Sequence, residues 1–134
     1  MKAFYSDLFV IPLPEAHRFP IQKYALLRQS VLGAGLLGPG DLRVPEPASD
    51  GEILRAHDED YLRRVVAGRL TAPEIRRIGL PWSPELVARA RRSVGGTIEA
   101  CRAALQEGVA VNLAGGTHHA FRDHGQGFCV FNDT

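Results

Sequence analysis

The stretch NLAGGTHHAFRDHGQGFCVFND, residues 112–133, carries three of the chain's five histidines. Two glycines lead into His118 and His119, and Gly127-Phe128-Cys129 begins eight residues after the second histidine. An unperturbed imidazole changes charge between about pH 5 and 8. Two of them can therefore divide acid–base work, one holding a reacting water while the other donates to a leaving group. The same pair is poorly suited to one metal ion, because neighbouring side chains of an extended chain point to opposite sides. Each imidazole needs a partner to set its tautomer. Asp123, Asp133 and His124 are near in sequence, but no spacing compels a pairing. A solvated turn is the other reading of these residues.

Chemistry at this stretch requires elements that present it. KAFYSDLF is short, aromatic and apolar, which predicts a strand over 2–9, and GVAVNLAGG predicts a β-branched strand over 109–113 running into glycines. FPIQKYALLRQSVLGAG places Ile21, Leu26, Leu27 and Val31 at helical spacing and stops in glycine. LRVPEPAS is extended, since two prolines forbid helix. Ser49 and Glu52 form a capping box for a short helix, and Asp58 or one of its neighbours caps the next. APEIRRIGL is a further short helix. Ser83-Pro84-Glu85 opens a long one, predicted to reach Gln106 with Gly95 and Gly96 inside it. Two interior glycines cost roughly 1 kcal/mol each against alanine, which suggests that another backbone packs closely there. Trp82 reads as a hydrophobic cover at the helix start, and His57 as a helix-start histidine without chemistry.

Strand, several helices, strand is the order of an α/β unit with a parallel sheet. Ligands of such sheets bind beyond the carboxyl ends of the strands. Gly115-Gly116 would turn the chain sharply there and aim both histidines into the crevice. Two parallel strands are not a stable sheet, so residues 1–134 read as the opening part of a larger domain. The chain by itself is expected to be unstable or oligomeric, or completed by another segment.

Composition bounds the alternatives. With 134 residues, 45% hydrophobic and 23% charged, the chain is one globular unit without low-complexity tracts. A net charge of +1 argues against a dedicated nucleic-acid binder. The arginines between Arg55 and Arg92 form either a solvated surface or a basic face for an acidic partner. Pro12 and Pro14 interrupt the N-terminal apolar run, and no stretch approaches the ~20 apolar residues of a membrane span. Cys101 and Cys129 make neither a disulfide framework nor a zinc motif, which suits reduced thiols in a cytoplasmic protein.

AGGTHHAFRDHGQGFCVFND resembles the segment of the zinc-dependent histone deacetylase family that carries Gly-Gly-x-His-His-Ala, Gly-Phe-Cys and Asn-Asp. That family includes the acetoin-utilisation and acetylpolyamine amidohydrolase relatives. HRFPIQKYALL, HDEDYL and RRIGLPWSPELVARARRSVGGTIEA are similar to the N-terminal third of its bacterial branch. The resemblance covers nearly the whole chain. It implies an α/β fold, the N-terminal part of a three-layer arginase/deacetylase-like domain with a parallel sheet, incomplete at its C-terminus.

Site roles follow from the resemblance. His118 resembles the histidine that takes a proton from zinc-bound water, and His119 its neighbour, a general acid or electrostatic partner as the tetrahedral intermediate collapses. Gly127 and Phe128 resemble one wall of the tunnel for an acyl-lysine side chain. Cys129 resembles the cysteine lining the pocket below the metal. Lys23 stands where many relatives have arginine at the base of that pocket, a departure that keeps the cation. His17 and Pro20 mark the same loop.

The family's Asp-x-His pair, its further metal aspartate and its C-terminal tyrosine have no counterparts in this sequence. Asp133 belongs instead to the Asn-Asp motif that opens the next helix of the family. A hydrolytic zinc needs about three protein ligands and an open position. Zinc is therefore expected for the complete domain, and neither zinc nor turnover for the 134-residue chain alone. Thr134 falls where that next helix would begin, so a truncated or clipped product is expected. The leading expectation is a linear-amide hydrolase that deacetylates acetyl-lysine or an acetylated polyamine. The alternatives are a non-catalytic fragment acting as a binding or regulatory module, and a small unrelated α/β binding domain that keeps a glycine-rich loop.

Overall fold

The computed structural model describes residues 1–115 and 117–134. Three strands, β1 (Lys2–Phe4), β2 (Leu42–Arg43) and β3 (Ala110–Asn112), form one sheet in the order β2-β1-β3, with both pairings parallel. Ala3 lies opposite Leu42 on one side and Val111 on the other. The expected pairing of the first and last strands in one parallel sheet is present. The first strand, however, ends at Phe4 rather than residue 9. The carbonyls of Ser6 and Phe9 turn aside to the buried Arg89 guanidinium, at 2.8 and 3.1 Å. Asp7 takes a two-pronged bond from Arg28 at 2.9–3.1 Å. Those commitments remove the backbone from the ladder. The third strand lies in the proline-rich extended segment, where Pro45 and Pro47 confine pairing to two residues at the edge.

Among the described residues five α-helices separate the strands: α1 (Lys23–Gly33), α2 (Asp50–Ile53), α3 (Glu59–Val66), α4 (Ala72–Ile78) and α5 (Pro84–Glu107). Their starts are set by local chemistry. Ser49 and Glu52 cap α2 reciprocally, Thr71 and Glu74 do the same for α4, and Ser83 Oγ accepts the Leu86 N–H at α5. Asp58 stands at the N-cap of α3 but makes no cap bond; its carboxylate is drawn to Arg122 at 2.5 Å. The apolar pattern of α1 is not buried, for Leu26 and Leu27 are exposed and the helix has no fully buried residue. Among the described residues no helix is long and apolar enough to cross a membrane.

The core joins Ile53, Tyr61, Val65, Ile78, Leu86 and Phe131. Trp82 covers it, donating Nε1–H to the Val65 carbonyl at 2.8 Å. Helix α5 packs on β1 and β3, and its two glycines leave room for neighbouring chain. A methyl at Gly95 would overlap the Glu46 carbonyl, so a second backbone does approach there. At Gly96 the neighbour is the Asn112 side chain, whose Nδ2 would lie 2.8 Å from an added methyl. Asn112 uses that space to donate to the Ser93 carbonyl at 2.9 Å and Thr97 Oγ1 at 3.0 Å. The end of β3 is thereby pinned to α5.

Gly95→Ala should cost about 1–3 kcal/mol, the range for inserting a group into a packed site. Gly33, near which an added methyl meets nothing within 4 Å, is the control. Gly33→Ala should be stabilising by about 0.4–1 kcal/mol through the unfolded chain. Denaturation midpoints of both variants check the contrast.

Candidate active site

Beyond β3 the Ala114 carbonyl accepts from Ser93 Oγ at 2.9 Å, and its N–H donates to Asn112 Oδ1 at 3.1 Å. Gly115 has no left-handed backbone; a methyl there would meet Thr97 Oγ1 at 2.6 Å. Its requirement is space. Gly116, the other half of the expected sharp turn, lies outside the described residues.

From Thr117 to Thr134 the chain has neither helix nor strand, only a bridge between Gln126 and Cys129. Its backbone polar groups must find partners elsewhere, and the Asn132-Asp133 pair supplies them. Asp133 accepts the Thr117 N–H at 2.7 Å and the Thr97 hydroxyl at 2.9 Å. Asn132 Nδ2 donates to the carbonyls of His118 at 3.3 Å and Ala120 at 3.0 Å. The backbone N–H of Asn132 donates to Nε2 of His57 at 2.9 Å. His57 is 3% exposed and packs against Tyr61 and Phe131. Burial pushes its pKa down, offset in part by the Arg122 and Phe121 carbonyls and by Asp58. The roles of Asn132 and His57 rest on a contact across 75 residues, which local spacing does not reveal. The only local signal was the Asn-Asp dipeptide.

His118 and His119 are both exposed, and their ring centroids lie 4.4 Å apart. The loop is irregular, so the divergence expected of neighbours in an extended strand does not apply. Asp123, one candidate for setting their tautomers, is held by His124 Nδ1 at 2.6 Å, and that bond keeps its carboxyl below the ordinary range. His124 in turn stacks on Phe121 at 4.7 Å. Asp133, the other candidate, holds the loop backbone.

Gly127 and Phe128 have φ of 58° and 64°, and the Gln126 and Cys129 backbones exchange bonds of 3.1 and 2.9 Å around them. Two consecutive positive φ values are those of a type I′ turn. A left-handed L-residue costs roughly 1–2 kcal/mol, and Phe128 is the only non-glycine with positive φ among the described residues. The C-terminus of α4 holds it there. The N–H groups of Gly127 and Phe128 donate to the Arg77 and Ile78 carbonyls at 3.1 and 2.7 Å, acceptors that a helix end leaves unpaired. The Phe128 ring meets Phe19 at 5.0 Å, and the Arg18 guanidinium lies 5.1 Å above it. Gly79 ends α4 with φ of 80°, and a methyl there would sit 3.1 Å from the Phe128 ring. His17 Nδ1 accepts the Phe19 N–H at 3.1 Å, so its Nε2 carries the hydrogen and donates to the Gly79 carbonyl, also at 3.1 Å. The His119 side chain lies 3.4 Å from where a Gly127 methyl would stand. The histidine pair and the Gly127-Phe128 turn are thus neighbours.

Cys129 is buried and its thiol donates to the Phe131 carbonyl at 3.2 Å; burial pushes its pKa up. Lys23 is exposed, with Nζ 5.0 Å from the Phe19 and Tyr24 ring centroids. Arg89, 6% exposed, lines a small cavity together with Phe19, Tyr24, Ser93, Thr117 and Phe128. Among the described residues no three His, Cys, Asp or Glu side chains converge in a way that could hold a metal ion.

Residues 17–134 match the histone deacetylase domain. The chain belongs to the histone deacetylase family. It is 43% identical to an uncharacterized protein of Picosynechococcus over 129 residues, covering 96% of this chain and 43% of that one. It is 33% identical to the acetoin utilization protein AcuC of Bacillus subtilis over 130 residues, covering 90% and 34% respectively. The crystal structure of an HDAC homolog from Aquifex aeolicus matches with a TM-score of 0.80 at 25% identity, over 98% of this chain and 38% of that one. The HD domain of HDA15 shares the fold, with a TM-score of 0.78 at 16% identity over 99% of this chain and 41% of that one. The chain spans less than half the length of the curated relatives it matches.

Iodoacetamide at neutral pH should alkylate the exposed Cys101 and spare Cys129 until the protein is unfolded, since the thiolate is the nucleophile and burial suppresses it. Peptide mass spectrometry before and after denaturant reads the result. Native labelling of Cys129 at the rate of Cys101 would contradict the packing described.

Proposed function

We propose that this chain carries the acid–base half of a zinc-dependent deacetylase that hydrolyses the amide of acetyl-lysine or another acetylated amine. The observation that supports this most is the placement of two exposed, adjacent imidazoles beside a strained Gly127-Phe128 turn, on a loop clamped by Asn132 and Asp133. Strain of that kind persists only where the surroundings over-determine it, and it clusters at functional sites. In this reading His118 takes the proton of the attacking water and His119 serves the departing amine. The Phe128 ring packs against the methylenes of the acyl-lysine side chain, Gly127 lets that chain come close, Cys129 lines the space below, and Lys23 supplies a cation near Phe19. The free cysteines suit a cytoplasmic enzyme.

The donor set of the described residues does not fit a hydrolytic zinc, which takes about three protein ligands. Zinc enters this reading only through ligands outside the chain, and no step is derived through it. The exposed Leu26, Leu27 and Leu36 favour a second reading, a non-catalytic module that docks on another polypeptide or completes an oligomer.

The two readings separate in one set of assays. In a longer polypeptide that contains this chain, acetyl-lysine or acetylpolyamine hydrolysis should be measurable, and His118→Ala should slow it by about 10²–10⁴-fold. The 134-residue chain alone should show neither turnover nor stoichiometric zinc. One equivalent of zinc with turnover in the chain alone would mean that other residues make the site. Turnover of the longer protein unchanged by His118→Ala would favour the non-catalytic role for this segment.

A further inference from the structure

We propose that His57 is a positioning residue for the His118–His119 loop, acting as a neutral imidazole that fixes Asn132 by accepting its backbone N–H. The chain of contacts is short. Nε2 of His57 accepts from Asn132 at 2.9 Å across a sequence separation of 75 residues, and the Asn132 side chain holds the His118 and Ala120 carbonyls. An imidazole nitrogen that accepts carries no hydrogen, so the hydrogen of the neutral ring is on Nδ1. Nδ1 is buried without a partner at hydrogen-bonding distance, and the nearby Arg122 and Phe121 carbonyls favour a hydrogen on the ring. The ring is fixed instead by Tyr61 and Phe131, each with its centroid 5.5 Å away.

Protonation reverses the contact. A hydrogen on Nε2 would face the Asn132 N–H donor to donor, and the backbone of Asn132 would have to withdraw. The titratable and charged groups around the ring do little to prevent this. Asp58 is committed to Arg122 at 2.5 Å, and the Tyr61 hydroxyl donates to the Val130 carbonyl at 2.8 Å. Burial lowers the pKa of His57 from its ordinary 6.5. The unfolded or opened state therefore binds the proton more readily, and the clamp is intact above about pH 6.5 and weakens as pH falls toward the folded-state value. That the clamped loop is catalytic rests on the function proposed above; that His57 clamps it does not.

The test reads the loop without substrate. On the intact polypeptide, imidazole ¹⁵N shifts should report the Nδ1–H tautomer of His57. Amide protection factors at residues 117–120 and 132 should fall between pH 7 and pH 5 while α5 stays protected. His57→Gln, which keeps an acceptor at similar reach and cannot be protonated, should retain the protection and lose its pH dependence. His57→Leu should lose protection at the loop at every pH. Loop protection that is independent of pH in the wild type, the same pH dependence in His57→Gln, or simultaneous loss throughout α5 would each overturn the proposal. If His57→Leu does not fold, the wild-type and His57→Gln series decide. A failed deacetylase assay would leave this result standing.

Discussion

The carboxylate of Asp133 joins three stretches that have no regular structure in common. It receives the Thr117 N–H at the start of the histidine loop and the Thr97 hydroxyl on α5, while its own backbone closes the loop by donating to the Thr117 carbonyl at 3.2 Å. Bonds to an ionised acceptor are roughly twice as strong as neutral ones. Here they replace the ladder or helix that would otherwise satisfy the backbone. Asn132 extends the clamp to the next carbonyls, and Gly115 leaves room for the Asn112 and Thr97 side chains beneath it. The position of the two imidazoles is therefore set by residues that need do no chemistry themselves.

The facing wall is built on a different constraint. Helix α4 ends with carbonyls that no further turn can satisfy. The Gly127-Phe128 turn docks its N–H groups onto those of Arg77 and Ile78, and the left-handed Phe128 is tolerated because the bonds and the ring packing both require it. Gly79 serves both sides of this junction, as the left-handed end of α4 and as the gap into which the Phe128 ring fits. Local helix-stop chemistry and the seating of the Phe128 ring thus meet at one glycine.

Local features were legible in the sequence and nonlocal ones were not. The caps at Ser49 and Ser83 operate within four residues, so their spacing suffices to reveal them. The parallel sheet was legible from β-branched runs and intervening helices. Its third strand was not: the Leu42–Arg43 edge strand is too short for alternation to show, and only its pairing with Ala3 and Phe4 defines it. The first strand is shorter than its apolar run to Val10 suggests, because the bonds that end it come from Arg28 and Arg89 far along the chain. Within the site, the adjacent histidines were visible in the sequence, and the Gly-Phe-Cys motif took its meaning from the family resemblance. His57 did not, because its partner lies 75 residues away and its burial has no local signature.

The central claim is that Asn132 acts on chemistry through the His118 loop, and a double-mutant cycle on turnover in a longer polypeptide containing this chain tests it most directly. Misplacing a catalytic group by about 1 Å can cost about 10²-fold, so Asn132→Ala alone should lower kcat by about that factor. Introduced into His118→Ala, it should cost little more, since residues that act as a unit are non-additive. Losses that multiply, or an Asn132→Ala protein that turns over like the wild type, would contradict the account.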